Sequence, residues 1–174
     1  MKHDLHIVIL AAGEGTRMKS HVPKVLHRIG GQPMITHLLD TASRLQPAAV
    51  HVVIGCGADG VKAACKDRQV NWVLQTERKG TGHAVMQAMP DIPDDAVVMV
   101  LLGDQPLIPA SVLEDLKSRA SAPLGILTME LDKPRGYGRI VRDRNGRISG
   151  IVEDKDATPA QWKIREVNSG IIMA

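Results

Sequence analysis

The stretch Ile7-Val8-Ile9-Leu10-Ala11-Ala12-Gly13-Glu14-Gly15-Thr16-Arg17 decides the fold class of this chain. Its apolar first part is typical of a strand buried on both faces, and such strands belong to parallel sheets covered by helices. Two glycines then follow, so backbone amides there can approach a phosphate without an intervening Cβ. The stretch lacks the third glycine of a dinucleotide fingerprint and the Gly-Lys-Ser/Thr of a P-loop. An anion-binding loop and a tight structural turn both remain open.

Three further apolar runs repeat this pattern, at Val50–Ile54, Val70–Leu74 and Ala96–Leu102. The segments between and after them have helical periodicity. The clearest stripe, with Pro33 at the expected first helical position, consists of Ile35, Leu38, Leu39, Ala42 and Leu45. A later helix has the capping-box spacing of Ser111 and Glu114 and ends before Pro123. The alternation predicts an α/β fold, with a mostly parallel sheet flanked by helices.

The second part of the chain has a different pattern. Strands are predicted at Leu124–Leu131, Gly138–Val141 and Arg147–Val152, and Asn145-Gly146 predicts a two-residue hairpin turn. The sheet is therefore expected to become mixed. The arginines around this hairpin lie among aspartates, which favours a solvated face over a nucleic-acid patch; they are Arg135, Arg139, Arg142, Arg144 and Arg147.

The chain is expected to form one domain over residues 1–174, whose pattern changes at about residue 124. The last predicted strand, Glu166–Ala174, is followed by no covering element. We therefore expect the 174 residues to be part of a longer polypeptide.

Composition excludes several classes of protein. The 22 Lys and Arg against 19 Asp and Glu give a net charge of +3, and 44% of residues are hydrophobic, as in a soluble globular domain. The chain has three aromatic residues, Trp72, Tyr137 and Trp162, so stacking platforms for nucleic acid are scarce. No apolar run is long enough to be a signal sequence or to span a membrane. Cys56 and Cys65 lack metal or disulfide spacing, which favours reduced thiols and a cytoplasmic location.

The best candidate metal ligand is Asp104, in Gly103-Asp104-Gln105-Pro106 at the end of the fourth apolar run. Ligands bind at the carboxyl ends of strands in open α/β sheets, and Mg²⁺ needs only one or two protein carboxylates when phosphates complete its shell. A cap of the turn into the next helix is the alternative role for Asp104. The histidines show no zinc motif, so any metal is expected to be oxygen-bound.

A third loop is expected at the same sheet edge, because the third run ends at Gln75 and is followed by Gly80-Thr81-Gly82-His83. His83 could act as a base. However, it lies in a first helical turn and has no nucleophile partner pattern, so a structural hydrogen bond is expected.

The motif Leu10–Met18 followed by Pro23-Lys24 resembles the signature of sugar-phosphate nucleotidyltransferases, which implies their Rossmann-like α/β fold. Further motifs narrow the resemblance to the uridylyltransferase domain of bacterial bifunctional N-acetylglucosamine-1-phosphate uridyltransferase/glucosamine-1-phosphate acetyltransferases. They are Asn71–Gln75, Gly80–Ala84, Gly136–Ile140, Ile151–Thr158 and Val167–Ile171. The combination from Gly136 to Gly170 separates this family from glucose-1-phosphate and molybdenum-cofactor nucleotidyltransferases.

The resemblance implies a nucleotide-binding half at about 1–123 and a sugar-binding half at about 124–174. It also implies a role for each matching position. Arg17, Lys24 and Asp104 would be catalytic, with Asp104 holding Mg²⁺. Gln75, Gly80 and Thr81 would select uracil, and Gly138, Glu153 and Asn168 would contact the N-acetylglucosamine moiety or the neighbouring ribose. The remaining substrate-binding positions implied are Leu10, Ala11, Ala12, Gly13, Leu102 and Gly103. Gln105 stands where relatives often carry an apolar residue.

The implied reaction joins UTP and N-acetylglucosamine 1-phosphate into UDP-N-acetylglucosamine and pyrophosphate, in the cytoplasm, for peptidoglycan and lipopolysaccharide precursors. The family's second metal ligand, an Asn, and its acetyltransferase and trimerisation domain would lie beyond Ala174. Another sugar-phosphate or molybdenum-cofactor nucleotidyltransferase, and a non-catalytic nucleotide-binding fragment, are the alternatives. No nucleic-acid partner and no membrane insertion are expected.

Overall fold

The computed structural model describes residues 3–13, 15, 18–77, 79–119 and 124–174. Its strands are β1 (Leu5–Leu10), β2 (Arg28–Ile29), β3 (Gln32–Pro33), β4 (Ala49–Ile54), β5 (Asn71–Leu74), β6 (Val97–Leu102), β7 (Gly125–Glu130), β8 (Arg139–Arg142), β9 (Ile148–Val152) and β10 (Glu166–Met173). Its α-helices are α1 (Met34–Arg44), α2 (Ala58–Ala64), α3 (Thr81–Ala88) and α4 (Ala110–Arg119). Short 3₁₀ turns lie at Lys24–Leu26, Met89–Asp91, Asp154–Asp156 and Gln161–Lys163.

The four apolar runs form the parallel part of one sheet, in the order β5-β4-β1-β6. β1 lies between two parallel partners, with Ile9 opposite both Val52 and Leu101. β1 and β4 are buried on both faces over most of their length, which explains why their sequences alternate so little between apolar and polar residues, whereas Asn71 and Leu74 of the edge strand β5 are exposed.

The other part of the sheet is antiparallel, so the predicted mixed sheet is confirmed. One edge of β10 pairs with β6 at its carboxyl-terminal end and with β8 at Val167, while its other edge pairs with β7. The register between β10 and β7 shifts between Asn168 and Ile172. Gly170 lies inside this bulge at φ 83°, a conformation that glycine adopts without strain.

Two apolar layers cover the sheet. On one face Ile7, Ile9 and Met99 belong to a core that includes residues of α1, α2 and α4. On the other face Val8 and Val53 pack with residues of α3. The arrangement is a three-layer α/β fold, as the sequence predicts.

Three local predictions from the sequence are wrong, and two of them concern the first residues of helices. Pro33 is the N-cap residue that precedes α1, with an extended ψ of 145°, because it pairs with Arg28 in the small β2–β3 hairpin. The helix therefore begins at Met34. Ser111 lies inside α4, which begins at Ala110; the first turn closes when the Val112 amide donates to Pro109 O.

The turn between β8 and β9 also differs from the predicted two-residue hairpin. Asp143 N donates to Arg147 O, so three residues form the loop, and Gly146 at φ 76° occupies its left-handed position. The Asp143 carboxylate stabilises this turn by accepting from the amides of Asn145 and Arg147, at 2.8 and 2.9 Å.

Two expectations about the cellular setting concern membrane spans and cysteines. Within the described ranges, every helix is too short or too polar to cross a bilayer. Cys56 is an exposed free thiol and Cys65 a buried one, and burial raises the pKa of the Cys65 thiol.

Candidate active site

The carboxyl ends of β1, β5 and β6 bring three loops together at one edge of the sheet. Gly103 N donates to Leu10 O at 2.9 Å, which joins the loops that follow β1 and β6. A Cβ on Gly103 would lie 2.8 Å from Leu10 O and 2.9 Å from Val25 Cγ1. Only glycine therefore fits this junction without movement of its neighbours.

A first cavity of about 330 Å³, the α3 cavity, lies between these loops and helix α3. Its lining is mostly apolar or backbone, with a few polar side chains. The lining residues are Leu10, Ala12, Gly13, Lys24, Val25, Gln75, Gly80, Thr81, Ala84, Leu102 and Asp104. Such a cavity suits a flat, partly apolar ring bound by a small number of hydrogen bonds.

A second cavity of about 830 Å³, the β10 cavity, lies on the antiparallel side. It is lined by Gly13, Gly15, Met18, Lys24, Leu102, Asp104, Gln105, Arg135, Gly136, Tyr137, Gly138, Glu153, Asn168, Ser169 and Gly170. Lys24 and Asp104 line both cavities. Two ligands bound side by side would therefore meet at this pair.

Lys24 and Asp104 form an ion pair between Lys24 Nζ and Asp104 Oδ2. Their side chains are 40% and 33% exposed, so an incoming ligand can reach both. Asp104 does not cap α4, since that helix begins six residues later at Ala110. The alternative turn-cap role is therefore not what the structure shows.

Gln75 lies at the base of the α3 cavity and is 5% exposed. Its backbone amide donates to Ile54 O at 2.8 Å, which extends the pairing of β5 with β4 by one residue. Its side-chain Nε2 lies 3.0 Å from His83 Nδ1. The expected structural hydrogen bond of His83 is therefore confirmed.

Gly138, Glu153 and Asn168 meet in the β10 cavity. Asn168 N donates to Gly138 O at 2.9 Å, and the Asn168 side-chain oxygen accepts from Gly170 N at 2.9 Å. A Cβ on Gly138 would lie 2.8 Å from Ile151 Cγ2 and 3.2 Å from Glu153 Oε1. The glycine therefore allows the Glu153 carboxylate to approach the backbone closely.

Arg139 lies directly behind this group and is 2% exposed, so the expectation of a solvated arginine is wrong here. Its guanidinium donates to Tyr137 O and, at 2.8 Å, to Asp154 Oδ1. The buried charge is tolerated because a carboxylate and a carbonyl accept from it.

Gln105 connects the two sides of the β10 cavity. Its Nε2 donates to Ser169 O at 2.6 Å, and the Ser169 hydroxyl donates to Leu127 O at 2.6 Å. The loop that carries Asp104 is thereby attached to the bulge of β10. The sequence analysis found no consequence for Gln105, because its partner is 64 residues away in the chain.

Among the described residues, every candidate site residue from the sequence lines one of the two cavities except Ala11 and Gly103. Ala11 is buried at 2% exposure and Gly103 lies at the loop junction, so both support the site from behind. Arg17 lies outside the described residues. The sequence analysis missed Tyr137 and Ser169, although both stand within motifs that it quoted.

The described residues contain no group of three or more His, Cys, Asp or Glu side chains placed to hold a metal ion. Asp104 offers a single carboxylate, which is a hard oxygen donor of the kind that Mg²⁺ binds alongside phosphate oxygens. This donor set fits a metal that arrives with a phosphate ligand.

Comparison with known proteins shows the family to which this chain belongs. The family model described as "MobA-like NTP transferase domain" matches residues 7–142. A protein called "Bifunctional protein GlmU" from Marinobacter nauticus is 55% identical over 172 residues, which are 97% of this chain and 37% of that protein. The protein of the same name from Alkalilimnicola ehrlichii is 52% identical over 174 residues, 100% of this chain and 38% of that protein. The chain thus spans less than two fifths of the length of these curated relatives.

Solved structures with low sequence identity share the fold. HddC from Yersinia pseudotuberculosis, in complex with GMP-PN, superposes with a TM-score of 0.73 at 22% identity and covers 97% of this chain and 75% of its own. A CMP:2-keto-3-deoxy-manno-octonic acid synthetase in complex with CTP gives 0.72 at 20% identity, with 98% of this chain and 73% of its own covered.

Proposed function

Since the chain belongs to the MobA-like NTP transferase domain family, we propose that it transfers the uridylyl group of UTP to N-acetylglucosamine 1-phosphate. The products are UDP-N-acetylglucosamine and pyrophosphate. The observation that carries the proposal is the pair of cavities that share Lys24 and Asp104. The identity of 52–55% to proteins called "Bifunctional protein GlmU" supports it.

The α3 cavity is proposed to take the nucleotide. Its apolar walls suit a base, and Gln75 offers the amide that can recognise the hydrogen-bonding edge of that base. Gly13, in the loop after β1, lines both cavities. A Cβ there would meet no atom within 4 Å, so the backbone at Gly13 is open to a phosphate.

The β10 cavity is proposed to take the sugar phosphate. Glu153 is exposed there and can accept hydrogen bonds from sugar hydroxyls, while Asn168 and the backbone near Gly138 offer further polar groups. The larger volume, about 830 Å³, suits a hydrated, polar ligand better than a flat base. The two halves of the chain would thus bind different substrates, as the sequence predicts.

Lys24 and Asp104 are proposed to act where the two substrates meet. Their ion pair means that each side chain neutralises the charge of the other. A bound phosphate would attract Lys24, and Asp104 is the residue that would hold Mg²⁺. When bound, the metal supplies neutralisation of the phosphate charge.

The reaction needs no general base, because the attacking phosphate oxygen of the sugar is already an anion near neutral pH. That oxygen forms a bond to the α-phosphorus of UTP, while the bond from the α-phosphorus to the bridging oxygen breaks and pyrophosphate leaves with the electron pair. The residues of the chain align the two anions, and Lys24 Nζ reduces their repulsion. Arg17 is proposed as a second cation for the same charge.

The wider role follows from the same resemblance. We propose that the product supplies peptidoglycan and lipopolysaccharide precursors, that the reaction occurs in the cytoplasm, and that trimerisation belongs to regions of the longer relatives. The proposed partners are therefore two small substrates and Mg²⁺, without nucleic acid or membrane.

The test is pyrophosphate release from each of the four ribonucleoside triphosphates with N-acetylglucosamine 1-phosphate or glucose 1-phosphate, with and without Mg²⁺. We expect release with UTP and N-acetylglucosamine 1-phosphate, and a product with the mass of UDP-N-acetylglucosamine. A preference for another pair would indicate a different nucleotidyltransferase. Tight nucleotide binding without release for any pair would indicate a non-catalytic binding domain.

A further inference from the structure

Gln75 is held by a side chain that does not line the α3 cavity. The Gln75 Nε2 lies 3.0 Å from Nδ1 of His83, in the first turn of α3, and 3.5 Å from Gly80 O. His83 is absent from the lining of both cavities. It can therefore influence a ligand in the α3 cavity only through Gln75.

The second ring nitrogen of His83 decides how this contact is made. His83 Nε2 lies 3.4 Å from Nε2 of Gln87, one helical turn further on. A neutral imidazole carries one N–H and one lone pair, so it can accept a hydrogen bond at only one of its nitrogens. We assign the acceptor role to Nδ1, because its contact of 3.0 Å is the shorter of the two, and this assignment places the ring proton on Nε2. The Gln87 amide donates instead to His83 O at 3.3 Å.

This arrangement fixes the orientation of the Gln75 amide. Both hydrogens of Nε2 are directed at protein acceptors, His83 Nδ1 and, more weakly, Gly80 O. No hydrogen bond among the described residues uses Gln75 Oε1 as its acceptor. Because Gln75 lines the α3 cavity, Oε1 is the atom that it offers to a ligand there.

We propose that His83 is a positioning residue that makes the α3 cavity prefer a pyrimidine with a ring N–H, such as uracil, over one with a lone pair at that ring position, such as cytosine. An acceptor that meets a ring N–H forms a hydrogen bond, whereas an acceptor that meets a lone pair leaves both groups unsatisfied. The inference rests on the proposed function, since it assumes that the α3 cavity holds the base.

The size of the preference follows from the cost of an unmade hydrogen bond in a site with little water. Gln75 is 5% exposed, so water cannot easily replace the missing partner. A mismatched base should therefore bind about 10-fold more weakly, or somewhat more than that. Without His83 the side-chain amide of Gln75 can rotate by half a turn and present Nε2 to the ligand. Nε2 would then donate a hydrogen bond to the ring lone pair of cytosine.

The experiment measures the equilibrium dissociation constants of UTP and CTP by calorimetry, in the presence of Mg²⁺, for three variants and the wild-type chain. His83→Leu removes the acceptor. His83→Asn retains an oxygen near the position of Nδ1 and should rescue the preference. Met86→Gln, at a 67% exposed position on the same helix, is the matched control.

We expect the ratio of the two dissociation constants to fall about 10-fold in His83→Leu and to return in His83→Asn. We expect no change of this ratio in Met86→Gln. An unchanged ratio in a folded His83→Leu variant would overturn the proposal, as would equal weakening of both nucleotides, which indicates a merely structural role. Equal affinity of the wild-type chain for UTP and CTP would also overturn it.

Pyrophosphate release tests the proposed function separately. If the wild-type chain binds UTP in preference to CTP and His83 controls that ratio, but no product forms, the inference stands and the proposed transfer reaction fails. If the product forms but the ratio does not depend on His83, the reaction stands and the inference fails.

Discussion

Arg139 donates through Nη2 to Asp154 Oδ1 at 2.8 Å, and this ion pair ties β8 to the turn that follows β9. The two residues are the immediate neighbours of Gly138 and Glu153, which both line the β10 cavity. The Arg139 side chain is 2% exposed and the Asp154 side chain 30% exposed, so the guanidinium lies away from water while the carboxylate reaches the surface. The distance between Gly138 and Glu153 thus depends on a contact that no ligand touches.

We expect Asp154→Ala to destabilise the chain by about 2–4 kcal/mol, because it leaves a buried guanidinium without its carboxylate. It should also raise KM for the sugar phosphate several-fold while KM for UTP stays the same. Urea unfolding and steady-state kinetics measure the two effects.

The double variant Arg139→Met/Asp154→Ala is the control for this prediction. It removes the uncompensated charge and should recover part of the lost stability but not the affinity for sugar phosphate. If the double variant is as unstable as Asp154→Ala, the unpaired charge is not the cause.

Gly138→Ala should raise KM for the sugar phosphate by about 10-fold or more, corresponding to at least 1.4 kcal/mol. The added Cβ would lie 2.8 Å from Ile151 Cγ2 and 3.2 Å from Glu153 Oε1, so the carboxylate must move. Gly150→Ala on β9 is the matched control, since a Cβ there meets nothing within 4 Å. Equal kinetics for the two alanine variants would show that the close approach is unimportant.

The parallel part of the fold could be predicted because its information is local. Each strand there is mostly apolar, and burial of β1 and β4 on both faces leaves few other arrangements. The positions of Gln75 and Asp104 at the ends of their strands followed directly from this, since parallel strands place their carboxyl ends at one edge.

The antiparallel side of the site depends on contacts between distant residues, which local patterns do not reveal. Arg139 looks like a surface residue until Asp154 is placed beside it, and Gln105 has no visible role until β10 brings Ser169 within 2.6 Å. The need for glycine at position 170, in the bulge of β10, could not be predicted from the local sequence either. A Cβ there would lie 2.5 Å from Leu102 Cδ1, and Leu102 becomes a neighbour only through the order of strands in the sheet.

Asp104→Asn should lower kcat by about 100-fold or more while the chain stays folded, because the carboxylate provides charge at the junction and is only partly buried. Removal of Mg²⁺ with a chelator should have a similar effect on the wild-type chain and little further effect on the variant. Near-normal turnover of Asp104→Asn at limiting Mg²⁺ would remove this residue from the metal site.

Lys24→Ala should lower kcat more than it raises KM for UTP, if the ammonium acts mainly on charge that develops during transfer. Because Lys24 also neutralises Asp104, the variant should bind Mg²⁺ alone more tightly than the wild type. Calorimetry with Mg²⁺ and no nucleotide checks this second effect, and unchanged or weaker binding would contradict it.

The last prediction concerns pH and a buried pair of histidines that lies outside both cavities. His6 Nδ1 and His51 Nε2 are 3.1 Å apart, and burial, followed by the charge of His6, lowers the pKa of His51. The unfolded chain therefore binds a proton more readily than the native chain, so His51 contributes full stability above about pH 6.5 and loses it as the pH falls below that value. We expect the free energy of unfolding to decrease between pH 7.5 and 5.5, as measured by urea denaturation. His51→Leu should reduce this decrease, whereas His21→Gln, at an exposed position, should retain it; equal slopes for all three chains would refute the assignment.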